Sequence, residues 1–164
     1  GIAPIAKLLD AGVPVALGID SDAVNDNVDL FEAARVGAML QKLGTMDPSV
    51  VPAAQALEMA TLGGARALGL DDEIGSLEPG KKADVVLVDL SAAHMRPINS
   101  IVNNLVYAAS APADISDVIV DGQVLVRDHK LCRADEHAVV VEAEGYLMER
   151  LNRTGMEVPP FYRS

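Results

Sequence analysis

Two aspartates, Asp20 and Asp22, follow an apolar run at residues 13–17 and are the side chains best suited to chemistry. A carboxylate at the end of a buried strand can bind a divalent cation or accept a proton from water. An Asp-x-Asp pair could also hold Mg²⁺ through both side chains. The ordinary structural role of an aspartate in such a loop is to cap a helix. The spacing alone leaves these roles open.

The loop after Asp20 also contains Asp26 and two asparagines, Asn25 and Asn27. For Asp22 and Asp26 we expect a solvated loop position or a helix cap. The asparagines could hydrogen-bond a substrate, but asparagine is common in turns because its side chain bonds to nearby backbone. We therefore expect the two asparagines to shape the loop.

The other residues that often do chemistry form no recognisable site in the sequence. The histidines have no i, i+4 spacing to one another: His94, His129 and His137. We expect each to be a surface or turn histidine and none to be a metal ligand. Cys132 is the only cysteine, which excludes an internal disulfide and a multi-cysteine zinc site and predicts a structural thiol. Lys81 and Lys82 follow a Pro-Gly turn and are predicted to be solvated.

The composition limits the classes of partner. The chain has 13 Lys plus Arg against 24 Asp plus Glu, a formal net charge of −11 at pH 7. This charge argues against nucleic acid or an anionic membrane as a partner. No apolar run approaches the roughly 18 residues of a membrane span and no signal-like segment begins the chain, so we expect a cytoplasmic protein. Because the chain opens at Gly1 directly into a helical pattern, we expect it to be part of a longer protein.

The residues around Asp20 have the pattern of a parallel α/β fold. Residues 13–17 predict a strand buried on both faces, and Gly18 would allow close approach where that strand ends. A helix with Pro4 in its first turn precedes the strand, and Asp29 is expected to cap a helix that extends to about residue 43. Polar residues at the ends of such strands are where α/β barrels keep their chemistry.

Two short helices are predicted next, one starting at Pro52 and one with Thr61 as its cap and Gly69 as a left-handed C-cap. Near residue 70 the periodicity changes from helical to strand-like.

The second half of the sequence has the pattern of a small β structure. Residues 85–88 predict a strand, and residues 115–126 predict a hairpin that turns at Asp121-Gly122. We expect residues 74–88 and 118–126 to pair in one sheet that is separate from residues 13–17. A final helix is predicted to start at Asp135 or Glu136.

Three stretches resemble the C-terminal part of the amidohydrolase superfamily: GIAPIAKLLDAGVPVALGIDSDAVNDNVDLFEAARVGAMLQ, ALEMATLGGARALGLDDEIGSLEPGKKADVVLVDL and VIVDGQVLVRDHKL. They are most similar to the branch of cytosine and guanine deaminase-like, chlorohydrolase-like and S-adenosylhomocysteine/methylthioadenosine deaminase enzymes. The most specific signals are the Gly-x-Asp that ends the first predicted strand and the stretch GSLEPGKKADVVLVD. The resemblance implies an α/β fold, the C-terminal portion of a (β/α)8 amidohydrolase barrel plus part of a small β-sandwich.

The resemblance also implies three parts of the chain. Residues 1–69 would be the end of the barrel, with its seventh helix, eighth strand and eighth helix. Residues 70–134 would be the C-terminal share of the β-sandwich, and residues 135–164 a helix and tail. The family's His-x-His pair, its histidines of the fifth and sixth strands and its catalytic glutamate have no counterpart in this sequence.

Asp20 matches the family's aspartate at the end of the eighth strand, which binds the metal and handles protons of the attacking water. The family usually has threonine before this aspartate, whereas Ile19 stands here. The implied cofactor is a divalent metal, zinc or iron, with its remaining ligands outside this chain.

The implied reaction is hydrolytic deamination of a small molecule, a purine-like or other nitrogen heterocycle. Hydrolytic dechlorination, hydrolysis of another C–N bond and a non-catalytic α/β interaction module are the alternatives. The 164-residue chain alone is expected to be inactive, and a homo-oligomeric state is left open.

Overall fold

The structure is a computed structural model that describes residues 1–21 and 26–156 of the 164-residue chain. The chain divides into two compact units, Gly1–His129 and Lys130–Ser164. The first unit combines helices with a sheet of antiparallel strands, and the second contains a short strand and a long helix. The predicted three-part division, with boundaries after residues 69 and 134, stays a prediction.

Besides a short 3-10 helix at Ala93–Met95, six α-helices lie in the described part of the first unit. They are α1 (Ile5–Asp10), α2 (Leu30–Thr45), α3 (Ala53–Met59), α4 (Leu62–Leu68), α5 (Ile101–Tyr107) and α6 (Ala111–Asp114). Asp29 is the N-cap of α2, and Gly69 ends α4 with a φ of +69°, as the sequence predicts. Thr61 precedes α4 but does not cap it, because its hydroxyl donates to the carbonyl of Leu57 at 2.8 Å.

The core of the first unit is built largely from small side chains. Its buried members are Ala34, Ala38, Val51, Ala53, Ala56, Met59 and Val106. Alanines permit a short distance between helix axes, and α2 packs against both α3 and α5. Val15 and Leu17 are partly buried and pack on this cluster from the segment that precedes Asp20.

The prediction of a strand at residues 13–17 is wrong for the described part of the chain, where this segment has no regular secondary structure. Two of its amides bond to helices: that of Val13 donates to the carbonyl of Leu8 in α1 at 3.0 Å, and that of Leu17 to the carbonyl of Met59 in α3 at 3.0 Å. A parallel strand needs neighbouring strands on its edges, and the strands of this unit pair with each other instead. The expected burial on both faces is also wrong, since Ala16 and Gly18 are exposed.

Close backbone approach occurs at Gly63 and not at the predicted Gly18. A Cβ atom at Gly18 would meet no heavy atom within 4 Å. A Cβ atom at Gly63 would lie 2.9 Å from the carbonyl oxygen of Glu58 and 3.1 Å from that of Val15. The glycine at the start of α4 therefore lets the segment before Asp20 lie directly on the helix.

The antiparallel sheet of the first unit contains β1 (Val85–Val88), β2 (Ile115–Val120) and β3 (Gln123–Arg127) in that order. β1 pairs with β2, and β2 pairs with β3 through the predicted hairpin. At its turn Asp121 and Gly122 have φ values of +48° and +74°, as a two-residue hairpin loop of the primed type requires. The predicted sheet is confirmed for these strands.

Residues 74–84 are not part of this sheet, so the predicted pairing is wrong for them. Turns occupy this stretch, with Gly80 at a φ of +97°. The Lys82 amide donates to the carbonyl of Glu73 at 2.8 Å, which closes the stretch on itself. The strand begins only at Val85.

The second unit contains β4 (Lys130–Leu131) and α7 (Glu136–Thr154). Asp135 caps α7 by accepting a hydrogen bond from the Ala138 amide at 3.1 Å, which confirms the predicted start. The apolar side chains of α7 are exposed or only partly buried within the described residues. Among residues 1–21 and 26–156, no helix is both long and apolar enough to cross a membrane.

Candidate functional site

Asp20 ends a segment whose side chains alternate between two environments. Val15, Leu17 and Ile19 are partly buried, whereas Ala16, Gly18 and Asp20 are exposed. The Cδ2 atom of Leu17 approaches α2, where it would lie 3.6 Å from a Cβ atom at Gly37. This period of two is that of a strand even though no strand pairs with the segment. Asp20 therefore lies on the side of the segment that faces away from the helices.

The loop that follows Asp20 is fixed at its far end by Asp29, which is only 8% exposed. Its Oδ1 atom accepts hydrogen bonds from the amides of Phe31 at 2.8 Å and Glu32 at 3.2 Å. Its Oδ2 atom accepts a hydrogen bond from the Ala111 amide at 2.9 Å. The carboxylate thus caps α2 and ties it to the start of α6.

Asn27 shapes the last turn of the same loop. Its Nδ2 atom donates to the carboxylate of Glu32, and its Oδ1 atom accepts from the Asp29 amide at 3.3 Å. The predicted loop-shaping role of Asn27 is therefore observed. Asp26 is exposed with a φ of +53° and does not cap a helix. Asp22 and Asn25 lie outside the described residues, so the Asp-x-Asp metal site stays a prediction.

A metal would find one suitable ligand in the described part of the site. No group of three or more His, Cys, Asp or Glu side chains that could hold a metal occurs among residues 1–21 and 26–156. A catalytic zinc ion has three protein ligands, so the exposed carboxylate of Asp20 fits as one ligand but cannot form such a site by itself. Within residues 1–21 and 26–156, Asp20 is thus the metal ligand that the sequence predicts, and Asp22 lies outside these residues.

His94 has a partner that the sequence did not reveal. Its Nε2 atom lies 2.9 Å from Oδ1 and 3.0 Å from Oδ2 of Asp114, whose side chain is only 1% exposed. Asp114 also accepts a hydrogen bond from the Ser110 amide at 2.8 Å. The pair therefore fixes the turn before β2 and lies apart from the Asp20 segment in the sequence. No periodicity of single residues predicts such a pair.

The prediction that Lys81 is solvated is wrong, because its side chain is 13% exposed. Its Nζ atom donates to the carbonyl of Asp71 and to Oγ of Ser76, at 2.7 Å for the latter. An ammonium group offers three donors, which suits a crowded turn of carbonyl and hydroxyl oxygens. Lys82 is exposed as predicted and pairs with Glu73 at 2.7 Å.

Hydrogen bonds and neighbouring charges shift the pKa values of four side chains in exposed turns. A hydrogen bond from Ser76 and the charge of Lys81 lower the pKa of Glu78. Hydrogen bonds from Ser49 lower the pKa of Asp47, and hydrogen bonds from Ser91 lower the pKa of Asp89. The carboxylate of Glu73 raises the pKa of Lys82.

Two cavities of the first unit lie away from Asp20. One, of about 310 Å³, is lined by the start of the Asp20 segment and by α3 and α4, including Glu58 and Arg66. The other, of about 410 Å³, is mostly apolar and is lined by α2, α5 and β1. Neither has Asp20 in its wall, so the exposed carboxylate stands outside both.

Comparison with known proteins places these features in a family. The model of the amidohydrolase family matches residues 1–125. A 5-methylthioadenosine/S-adenosylhomocysteine deaminase of Syntrophomonas wolfei is 43% identical over 143 residues, which are 87% of this chain and 33% of that protein. The chain thus spans about a third of the length of the curated relatives it matches.

Two solved structures have the same fold over this range. An adenosine deaminase of Xanthomonas campestris with bound zinc is 38% identical with a TM-score of 0.89, over 93% of this chain and 34% of that one. An atrazine chlorohydrolase of Arthrobacter aurescens in complex with zinc is 31% identical with a TM-score of 0.80, over 88% of this chain and 32% of that one. The predicted resemblance is confirmed, and the chain belongs to the amidohydrolase family.

Proposed function

We propose that this chain is the C-terminal part of a longer, metal-dependent hydrolase that deaminates a purine-like substrate, with Asp20 as its proton-accepting carboxylate. The named relatives support the reaction class, since they include a deaminase of 5-methylthioadenosine and S-adenosylhomocysteine and a zinc-bound adenosine deaminase. Residues 1–69 would complete a (β/α)8 barrel, and residues 70–134 would contribute to a β-sandwich.

The observation that carries this proposal is the exposed position of Asp20 opposite the helix-packed side chains of its segment. In a (β/α)8 barrel one side of each strand faces the surrounding helices and the other faces the interior. Val15 and Leu17 pack on the helical core, so Asp20 would be on the interior side. A carboxylate at the carboxyl end of such a strand is where barrel enzymes have their catalytic residues.

Asp20 would serve two needs of the reaction. It would be one ligand of a divalent metal, zinc being the ion in the related structures and iron an alternative. When bound, the metal lowers the pKa of a coordinated water toward neutrality. Asp20 would accept the proton of the attacking water. The net reaction adds water to the amino-bearing ring carbon, breaks its C–N bond and releases ammonia.

The substrate proposed is an adenosine-like small molecule. Hydrolytic dechlorination remains the second candidate, because the chain also matches the fold of an atrazine chlorohydrolase. Parallel assays of the complete protein with 5-methylthioadenosine, S-adenosylhomocysteine and a chlorinated triazine separate these candidates. A non-catalytic module would turn over none of them. A cytoplasmic location and a homo-oligomeric state remain further proposals.

The decisive variant is Asp20→Asn in the complete protein. Asparagine keeps the size of the side chain and one oxygen but loses the negative charge and the capacity to accept a proton. We expect turnover to fall by about 10³–10⁴-fold, the upper part of the general-base range, while the fold is unchanged.

Asp22→Asn and Asp26→Asn are the matched controls, because they remove the same charge within the same loop. If Asp22 were the partner of Asp20 in an Asp-x-Asp metal site, Asp22→Asn and Asp20→Asn would be comparably damaging. We expect both controls to cost far less than Asp20→Asn, with steady-state rates and metal content as the measurements. Near-normal turnover of Asp20→Asn would refute the proposal.

A further inference from the structure

The contact between Gly63 and Val15 fixes how the segment before Asp20 lies on the helices. Gly63 is the second residue of α4, and an added Cβ atom there would lie 3.1 Å from the carbonyl oxygen of Val15. The same Cβ atom would lie 2.9 Å from the carbonyl oxygen of Glu58. A Cβ atom cannot remain so close to a backbone oxygen, so any residue larger than glycine forces the backbone to move.

Of these two carbonyl groups, that of Glu58 is the less free to move. It accepts a hydrogen bond from the Thr61 amide at 3.0 Å, within the turn that joins α3 to α4. Val15 belongs instead to a segment without regular secondary structure. A side chain at position 63 would therefore displace mainly the backbone of Val15.

This displacement has a continuous route to Asp20, because all of residues 15–20 are described by the structure. Leu17 is held between the two ends of the route, since its amide bonds to Met59 and its side chain packs on the helical core. A push on Val15 therefore turns the segment about Leu17. Asp20 lies three residues beyond this pivot, about 10 Å for an extended chain, whereas Val15 lies two residues before it. Asp20 thus moves at least as far as Val15.

We propose that Gly63 is a positioning residue for Asp20, because the lack of a side chain at position 63 determines where the carboxylate lies. Gly63 acts through the backbone of Val15 and the pivot at Leu17. The proposal rests on the proposed function of Asp20 as metal ligand and proton acceptor. A displacement of about 1 Å can cost about 100-fold in rate, so a shift of a few tenths of an ångström should cost about tenfold.

The deciding variant is Gly63→Ala in the complete enzyme, with two other glycines as matched controls. Gly64→Ala adds the same Cβ atom to the next residue of α4, where the nearest atom outside the helix is the carbonyl oxygen of Met59 at 3.6 Å. It gains the same helix propensity without the contact to the segment. Gly37→Ala adds a Cβ atom on α2, 3.6 Å from Cδ2 of Leu17, and so touches the segment without pushing it.

Gly63→Ala is expected to lower kcat about tenfold per bound zinc with 5-methylthioadenosine as substrate, while KM stays within about twofold of the parent. Because Asp20 is also a proposed zinc ligand, the dissociation constant for zinc, measured by competition with a chelator, should rise about tenfold. Gly64→Ala and Gly37→Ala should keep both values within about twofold of the parent. A role limited to stability would lower the unfolding midpoint and leave kcat per bound zinc and zinc affinity unchanged.

A double variant shows whether the effect passes through Asp20. In the Asp20→Asn background the carboxylate is already lost, so adding Gly63→Ala should lower turnover by less than about twofold more. If the two losses in kcat multiply in the double variant, the positioning role is overturned. It is also overturned if Gly63→Ala matches Gly64→Ala in both kcat and zinc affinity.

If Gly63→Ala does not fold, Val15→Ala decides in its place. This substitution loosens the packing of the same residue on the helical core without adding an atom, and should lower both kcat and zinc affinity. An unchanged Val15→Ala would then overturn the positioning role. Asp20→Asn is measured in the same assay. Normal turnover of Asp20→Asn defeats the proposed function, whereas an inactive Asp20→Asn beside a fully active Gly63→Ala defeats the positioning role alone.

Discussion

Residues 12–20 and strands β1 to β3 are both apolar segments, yet only the second region forms strands in the described chain. β2 and β3 are joined by a two-residue turn, so each has a partner close by in the sequence. The segment before Asp20 has its Leu17 amide bonded to Met59, a helical residue, and its Pro14 has no amide to donate. A sequence with the pattern of a strand thus forms a strand where the backbone of a partner strand is available to pair with it.

The comparison also shows which properties of a strand are local. The alternation of partly buried and exposed side chains survives at residues 15–20 without a hydrogen-bonded neighbour. It survives because Val15 and Leu17 pack on the helical core, and because Gly63 allows their backbone to approach α4. Side-chain direction is therefore set by packing on the helices, whereas the ladder of hydrogen bonds depends on other strands.

The largest expected difference between the two regions is found in the 164-residue chain studied alone. Amides of residues 118–126 should be protected from hydrogen exchange, and those of residues 13–20 should exchange much faster, except for the hydrogen-bonded amides of Val13 and Leu17. The same chain should bind no stoichiometric zinc and show no deaminase turnover, because one carboxylate supplies one of the three protein ligands that catalytic zinc needs. Metal analysis and an ammonia-release assay are the measurements. Deaminase turnover by the 164-residue chain with stoichiometric zinc would contradict this prediction.

The fold was predictable wherever the determining interactions are local. The caps at Asp29 and Asp135 and the turn at Asp121-Gly122 follow from residue types that favour one backbone conformation, and all three are observed. Thr61 has the residue type of a cap but bonds to the preceding helix instead. The strand at residues 13–17 failed because its pattern carries no information on whether a partner strand is available.

The candidate site was predictable only in part, because its contacts join residues far apart in the sequence. Asp20 could be singled out from its place after an apolar run. The bridge from Asp29 to Ala111 spans 82 residues and ends on a backbone amide, which no side-chain pattern encodes. The pairing of His94 with buried Asp114 likewise depends on the packing of two separate turns. Residue type suggested the cap at Asp29, and only the fold reveals the second role.

A smaller difference is expected from two glycine substitutions in the 164-residue chain. Gly122→Ala places a Cβ atom on a residue with a φ of +74°, and should lower the free energy of unfolding by about 1–2 kcal/mol. The φ of Gly18 is outside the left-handed region, and an added Cβ would meet no atom within 4 Å. Gly18→Ala should therefore change the free energy of unfolding by less than about 0.5 kcal/mol. Urea unfolding measures both.

Gly122→Ala is expected to affect stability more than Gly18→Ala, but the opposite is expected for turnover of the complete enzyme if Gly18 faces the barrel interior with Asp20. Gly18→Ala should then reduce kcat while Gly122→Ala leaves it close to the parent value. Equal losses of stability in the two variants would show that the segment before Asp20 is as tightly constrained as the hairpin.

The smallest expected effect concerns a turn beside β1, where hydrogen bonds from Ser91 lower the pKa of Asp89. The Ser91 amide donates to Oδ1 of Asp89 at 2.8 Å, and the Ser91 hydroxyl lies 3.0 Å from Oδ2. A carboxyl whose pKa is lower in the folded state contributes stability above its unfolded pKa, and this contribution is lost as the pH falls through the folded value. Asp89→Asn should therefore be less stable than the parent near pH 7, and the two should converge below about pH 4. Because the side chain is exposed, we expect a smaller change in the unfolding midpoint than for Gly122→Ala. Ser91→Ala is the control: it keeps the amide donor and should retain part of the pH dependence of stability. If the difference in unfolding midpoint between Asp89→Asn and the parent stayed constant from pH 7 to pH 3, it would contradict this account.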